Sequence, residues 1–240
     1  MADLFDNAFF RKTPQFKTSF IDDAGEERSY LFPTFYAGAR AILGIFTCDY
    51  SKAQAWLPAK LSPIPAGIGR ALIAVGCFEY LNVKTVDPYN EVLFGVPVLQ
   101  KRAGKLLPAS GLFVRRLLVD KPENVQRGKH IWGMDKSLAE IKFFDQGDFR
   151  VCEAWRNDRR AVRFEAPRVG RTRPTSESRY IVTEKDGRLL RSHSIGEGKA
   201  ITNLRRGRIT LSADPFGVEL ESLGINAAPL VAKFIPAIDQ

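Results

Sequence analysis

Histidine is nearly absent from this 240-residue chain: His130 and His193 are the only two. There is no HExxH motif and no His/Cys pair at ligand spacing, so the sequence offers no zinc site, and no metal is expected. General acid–base work falls instead to Glu, Asp or Lys. A GxSxG nucleophile elbow is missing as well. The three cysteines, Cys48, Cys77 and Cys152, are far apart and odd in number, which fits a reduced, cytoplasmic compartment better than a disulfide framework. No apolar run approaches the roughly 20 residues a membrane span needs, so no membrane partner is expected. The N-terminus carries Asp3 and Asp6 and lacks the basic-then-apolar layout of a signal peptide. Alternating βα units are missing, which argues against a dinucleotide-binding fold. Gly196-Glu197-Gly198-Lys199 lacks the spacing and the Ser/Thr of a phosphate loop and is read as a turn. No cofactor is implied.

What is present is an ordinary globular balance, 45% hydrophobic and 26% charged, with 17 Phe to fill a core. One domain over 1–240 is expected, with residues 1–30 as an N-terminal arm. The net charge is +9, and much of it sits between Arg150 and Arg179. Glu153, Asp158, Glu165 and Glu177 are interleaved there, and no nucleic-acid-binding motif accompanies the arginines. A solvated sheet face, or a face turned to a neighbouring subunit, accounts for them, and no nucleic-acid partner is expected. Strand-like stretches recur at Ala39–Thr47, Arg70–Leu81, Glu91–Leu99, Leu112–Val119, Arg179–Thr183, Arg188–Ile195 and Arg208–Leu211. Leu138–Phe144 and Phe149–Trp155 read as a hairpin around Asp145–Asp148. Short helices are expected at Asp49–Leu57, ended by Pro58, and at Lys121–Lys129, with Pro122 near its start. Many strands and few helices predict a mainly β, antiparallel fold, closed or rolled.

One segment points to chemistry: Gly128-Lys129-His130-Ile131-Trp132-Gly133-Met134-Asp135-Lys136-Ser137-Leu138-Ala139. Lys136 stands among Ile131, Trp132, Met134, Leu138 and Ile141. Burying an ammonium is costly unless it loses its proton, and desolvation lowers a lysine pKa. At pH 7 a lysine with the reference pKa near 10.4 is neutral only about once in 2,500 molecules, and only the neutral amine attacks a carbonyl. The plainer reading is a strand-end lysine whose ammonium snorkels to water.

The segment resembles the acetoacetate decarboxylase signature, roughly G-R-E-I-W-G-Y-P-K-K-L-A, in which the first lysine forms a Schiff base; Lys136 takes its place. Pro88-Tyr89-Asn90-Glu91-Val92, followed by Pro97-Val98, is similar to the family's Tyr-x-Glu strand. Phe78-Glu79 resembles a second acidic position. Asp49 to Leu57-Pro58 resembles the family's Thr-Asp helix, with Cys48 in place of the Thr. The likeness runs from about Arg40 to Phe234. Two departures stand out. Ser137 replaces the second lysine, the neighbouring cation for which acetoacetate decarboxylase is the standard example of lysine activation, so Lys136 would depend on burial. Counting back from Asp49 puts Ala39, not Arg40, where the family has its substrate-binding arginine, and one residue on a strand reverses the face.

The resemblance implies a closed, cone-like β-barrel or rolled sheet with a few short helices, assembled as a homo-oligomer. It implies a keto acid substrate, attacked by Lys136 to give an iminium that accepts the electrons released with carbon dioxide. Glu91 would act as acid–base residue and Glu79 as its partner or as a carbinolamine stabiliser. Arg40, Met134, Trp132 and Ser137 are the candidate substrate contacts. The same lysine could serve aldol condensation and dehydration on pyruvate-like substrates. A non-catalytic ligand-binding barrel is the reading from another class.

Overall fold

The computed structural model describes residues 3–102, 105–212 and 214–240. The chain opens with a short helix α1 (Ala8–Arg11) and a hairpin of β1 (Phe16–Ile21) and β2 (Glu27–Phe32). There follow β3 (Ala39–Asp49), α2 (Tyr50–Ala55), β4 (Leu61–Pro63), β5 (Arg70–Tyr80), β6 (Tyr89–Arg102) and β7 (Lys105–Val119). Next come α3 (Pro122–Trp132), β8 (Lys136–Leu138), β9 (Glu140–Gln146), β10 (Phe149–Arg156) and β11 (Arg159–Pro167). The chain continues through β12 (Arg173–Lys185), β13 (Arg188–Leu204), β14 (Arg208–Leu211), α4 (Pro215–Ser222) and β15 (Val231–Asp239). The fold is mainly β, as the sequence predicts.

The large sheet runs β4-β6-β5-β3-β15-β13-β12-β7-β8, and an additional β6–β7 pairing closes β6, β5, β3, β15, β13, β12 and β7 into a ring. Its pairings are antiparallel except β7–β12 and β7–β8, which are parallel. A second antiparallel sheet, β14-β11-β10-β9, packs outside the ring.

Successive strand residues point to opposite faces, and this alternation sorts the ring's side chains into two cores. Ile42, Phe46, Ile73, Val75, Cys77, Val92 and Phe94 face outward and meet Cys152, Ala154, Val162 and Phe164 of the second sheet. Phe46 and Phe164 meet edge-on with ring centroids 5.6 Å apart. Ala39, Ala41, Phe78, Tyr80, Tyr89, Leu93 and Leu117 face the inside of the ring. Fully burying one Phe is worth about 1.5–3 kcal/mol, and Phe46, Phe94 and Phe164 lie in the outer core with no exposure at all. The outer core therefore stabilises the ring, while the inner face need not be completely filled.

Several local expectations are corrected. Gly196 to Lys199 is not a turn but the middle of β13. A Cβ at Gly198 would come within 2.3 Å of the Ala237 carbonyl, so the glycine lets β15 pass close alongside. The Arg159–Pro167 strand, hidden in the arginine-rich stretch, belongs to the second sheet. Arg150, Arg156, Arg160, Arg163, Arg168 and Arg179 each pair with a carboxylate. Helix α4 is capped by Asp214, whose carboxylate accepts from the Phe216 amide at 2.9 Å. No helix among the described residues is long and apolar enough to cross a membrane.

Helix α3 starts at Pro122 and runs past Lys129 to Trp132. Gly133 ends it at φ 65°, in the left-handed region, and its amide bonds back to the Lys129 carbonyl at 3.0 Å. Met134 follows with a bond to the Gly128 carbonyl at 3.0 Å, which turns the chain into β8. A Cβ at Gly133 would stand 2.6 Å from the Glu184 carbonyl, whereas Gly147, at φ 55°, has nothing within 4 Å. Gly133→Ala is expected to destabilise by more than the roughly 1–2 kcal/mol of left-handed strain alone, and Gly147→Ala by the strain alone. Urea unfolding of both variants checks this; equal losses would show that the approach of Glu184 places no demand on Gly133.

Candidate active site

Lys136 opens β8, opposite Leu117 of β7 in parallel register. Leu117 faces the inside of the ring, and Lys136 shares that direction. Its stem lies along α3 at Gly128: a Cβ there would stand 2.5 Å from Lys136 Cδ and 2.6 Å from Cε. Only a residue without a side chain leaves the lysine this path. The amine reaches β6 and donates to Glu91 Oε2 at 2.6 Å. Both side chains are nearly enclosed, 7% and 8% exposed.

Glu91 is inward because Tyr89 and Leu93, two residues to either side, are inward. The three form one row with Phe78 and Tyr80 of the neighbouring strand β5. Tyr36 reaches in from the segment between β2 and β3. Its ring lies 4.2 Å from that of Tyr80, and its hydroxyl is 3.1 Å from that of Tyr89. Burial pushes the Tyr36, Tyr80 and Tyr89 phenols above their ordinary range, and the nearby Glu91 charge adds to this. At neutral pH these phenols stay protonated and can donate to an oxygen, but they cannot serve as bases.

These groups line a cavity of about 570 Å³ inside the ring, which Trp132 and Met134 also border. A second, more open cleft of about 560 Å³ lies across Lys136 and Met134, between the end of α3 and Glu184–Asp186. Farther along the first cavity, Glu177 accepts from Lys233 at 2.9 Å and from Arg179 at 3.0 Å. Burial pushes the Glu177 carboxyl up, but the Lys233 hydrogen bond and the Arg179 charge outweigh it and hold it below the ordinary value. Among the described residues no cluster of three or more His, Cys, Asp or Glu is placed to hold a metal ion.

The structure thus brings Lys136, Glu91, Trp132 and Met134 to one cavity. It does not bring the other three expected residues there. Glu79 is on the outer face of β5, next to inward Phe78, and accepts from Arg150 Nη2 at 2.6 Å; it ties the ring to the second sheet rather than partnering Glu91. Arg40 is exposed, one residue off the inward positions Ala39 and Ala41. Ser137 is half-buried beside Leu118, whose side chain joins the outer core. A strand residue next to Lys136 points away from the cavity, so this position does not reach the amine.

Sequence reasoning missed Arg127 and Asn124. Both line the cavity from α3 and are buried, 8% and 2% exposed. Their signal was present: positions 124, 127 and 128 share a helix face, and Gly128 already stood in the lysine motif.

The family model for acetoacetate decarboxylase matches residues 21–214. Among solved structures, the acetoacetate decarboxylase of Legionella pneumophila subsp. pneumophila str. Philadelphia 1 superposes with a TM-score of 0.62 at 17% identity, covering 100% of this chain and 92% of its own. A second acetoacetate decarboxylase structure gives 0.60 at 15% identity, covering 86% and 85%. The enduracididine biosynthesis enzyme MppR, complexed with pyruvate, gives 0.59 at 14% identity, covering 90% and 91%. Among curated proteins none matches the sequence. The fold is common to all three structures, and the family model spans most of the chain, which therefore belongs to the acetoacetate decarboxylase family of enzymes.

Proposed function

We propose that this protein is a Schiff-base lyase that decarboxylates a small β-keto acid through an iminium on Lys136. The observation that carries this reading is the buried contact of Lys136 with Glu91 at 2.6 Å, inside a cavity open to small molecules. Glu91 takes the ammonium proton, which frees the nitrogen lone pair. The nitrogen attacks the keto carbon and the carbonyl oxygen is protonated. Glu91 gives the amine's proton to the carbinolamine oxygen, which leaves as water and yields the iminium. The bond to the carboxylate then breaks, its electrons entering the carbon–carbon bond of an enamine as carbon dioxide departs. A solvent proton, delivered through Glu91 to the α-carbon, and hydrolysis by water then release the ketone and restore the lysine ammonium. A protonated phenol from the tyrosine row can donate to the carbinolamine oxygen.

A second reading is favoured by one observation. The cavity is far larger than a four-carbon keto acid needs. Aldol condensation of a pyruvate-like donor with a larger aldehyde would fill it, starting from the same iminium. MppR, which shares the fold, is described with pyruvate and with a condensation product of pyruvate and imidazole 4-carboxaldehyde.

Borohydride reduction in the presence of a panel of keto acids is expected to add the mass of the bound fragment, and peptide mapping to place it on Lys136. Carbon dioxide release then separates decarboxylation from aldol chemistry. No adduct across the panel would leave a ligand-binding barrel as the surviving reading, and an adduct on another lysine would overturn the role of Lys136.

Gly128→Ala tests the geometry beneath this chemistry. Alanine favours a helix by up to about 1 kcal/mol over glycine, so the fold should hold. Its methyl group would occupy the path of the Lys136 stem and displace the amine from Glu91. Labelling at Lys136 is expected to slow by roughly tenfold or more, the scale of about 1.4 kcal/mol in a barrier. Labelling at the wild-type rate would show that Lys136 does not depend on this path.

A further inference from the structure

We infer that Arg127, with Asn124, is the receptor for the substrate carboxylate and so selects anionic ligands for this cavity; the inference rests on the keto-acid reading. The cavity lining holds five Lys or Arg side chains and three Glu. Lys136 pairs with Glu91, Lys233 and Arg179 with Glu177, and Lys12 with Glu197 at 3.5 Å. Among the described residues Arg127 is left as the cavity cation without a carboxylate. A buried charge without a counter-charge is strongly unfavourable, and a guanidinium stays protonated at any ordinary pH. A ligand anion removes that penalty.

The hydrogen bonding of the pair agrees. Arg127 donates only to neutral oxygens, Asn124 Oδ1 and Thr34 Oγ1, each at 3.4 Å, the outer limit for such a bond. Arg127 Nε and Asn124 Nδ2 are buried with no partner. Buried donors are paired in the great majority of native structures, so two orphaned donors three residues apart on one helix are a feature to explain. A carboxylate accepts from a guanidinium through two parallel bonds, and the Asn124 amide can supply a further one. The location also fits. Arg127 directly precedes Gly128, against which the Lys136 stem lies. The Arg127 charge is felt at the Tyr36 phenol, as is that of Glu91. A molecule with its carboxylate on Arg127 can present its keto group to Lys136. The exposed Arg40 has no such access.

The test uses 3-hydroxybutyrate, a carboxylate with no keto group, so that binding is read without Schiff-base chemistry. Calorimetric titration of the wild-type protein should show binding. Arg127→Met should raise Kd roughly 10- to 100-fold, the scale of a charge-assisted hydrogen bond. Arg127→Lys should recover part of that loss, and if the Met variant does not fold, the weaker binding of the Lys variant carries the test. In parallel, the ratio of Lys136 labelling by acetoacetate to labelling by neutral acetylacetone should fall in Arg127→Met. An unchanged Kd in the variants, or no binding by the wild type, overturns the assignment. Arg127-dependent binding without any adduct at Lys136 supports the carboxylate site and removes the lyase instead.

Discussion

A lysine and a glutamate in contact inside a closed ring of strands are the constraint on which the rest of the structure depends. Either group alone, buried as Lys136 and Glu91 are, would be an uncompensated charge, and breaking such a pair by removing one partner typically costs about 3–5 kcal/mol. Together they are tolerated, joined by the hydrogen bond from the amine to Glu91 Oε2. In the proposed mechanism this contact has a chemical use, since a nucleophilic amine needs a neighbour that can take a proton and return it.

The fold supplies the burial by dividing labour between its two cores. The outer core, between ring and second sheet, holds the large fully buried side chains. The inner face can therefore keep a cavity and polar groups that a packed interior would exclude. Helix α3 links the cavity to the ring wall. Gly133 ends it and turns the chain into β8, while Gly128 admits the lysine stem. Arg127 and Asn124 sit on the same helix, so the group proposed to hold the substrate and the path of the Lys136 stem are set by one element.

The sequence made the core of this site legible because Lys136 and Glu91 lie in contiguous motifs, and their faces follow from strand alternation. Strands β3, β5, β6 and the Leu112–Val119 part of β7 are equally plain, as apolar runs bounded by turn residues, whereas the three-residue β4 is too short to carry such a signal. What the sequence hid depended on facing. Glu79 follows an inward Phe78 and so points to Arg150; a one-residue offset separates a site residue from a strut between sheets. Arg40 failed for the same reason, beside inward Ala39 and Ala41. Ser137, a worrying departure when read linearly, faces the outer core and does not meet the amine. Arg127 was overlooked because nothing along the chain reports that an arginine lacks a partner; that is visible only when its neighbours are assembled. The arginine-rich stretch hid β11, since charges that pair across a sheet look like a solvated surface in one dimension.

Glu91→Gln distinguishes a glutamate that moves protons between Lys136 and the substrate from one that only balances charge. Glutamine keeps the shape and can still accept a hydrogen bond from the amine, but it cannot take the proton. On the substrate identified by trapping, turnover of this variant should fall by roughly 10²–10⁴-fold, and by more than the rate of hydride-trapped adduct formation at Lys136 falls. Turnover at the wild-type rate, with the adduct still on Lys136, would reduce Glu91 to a structural counter-charge.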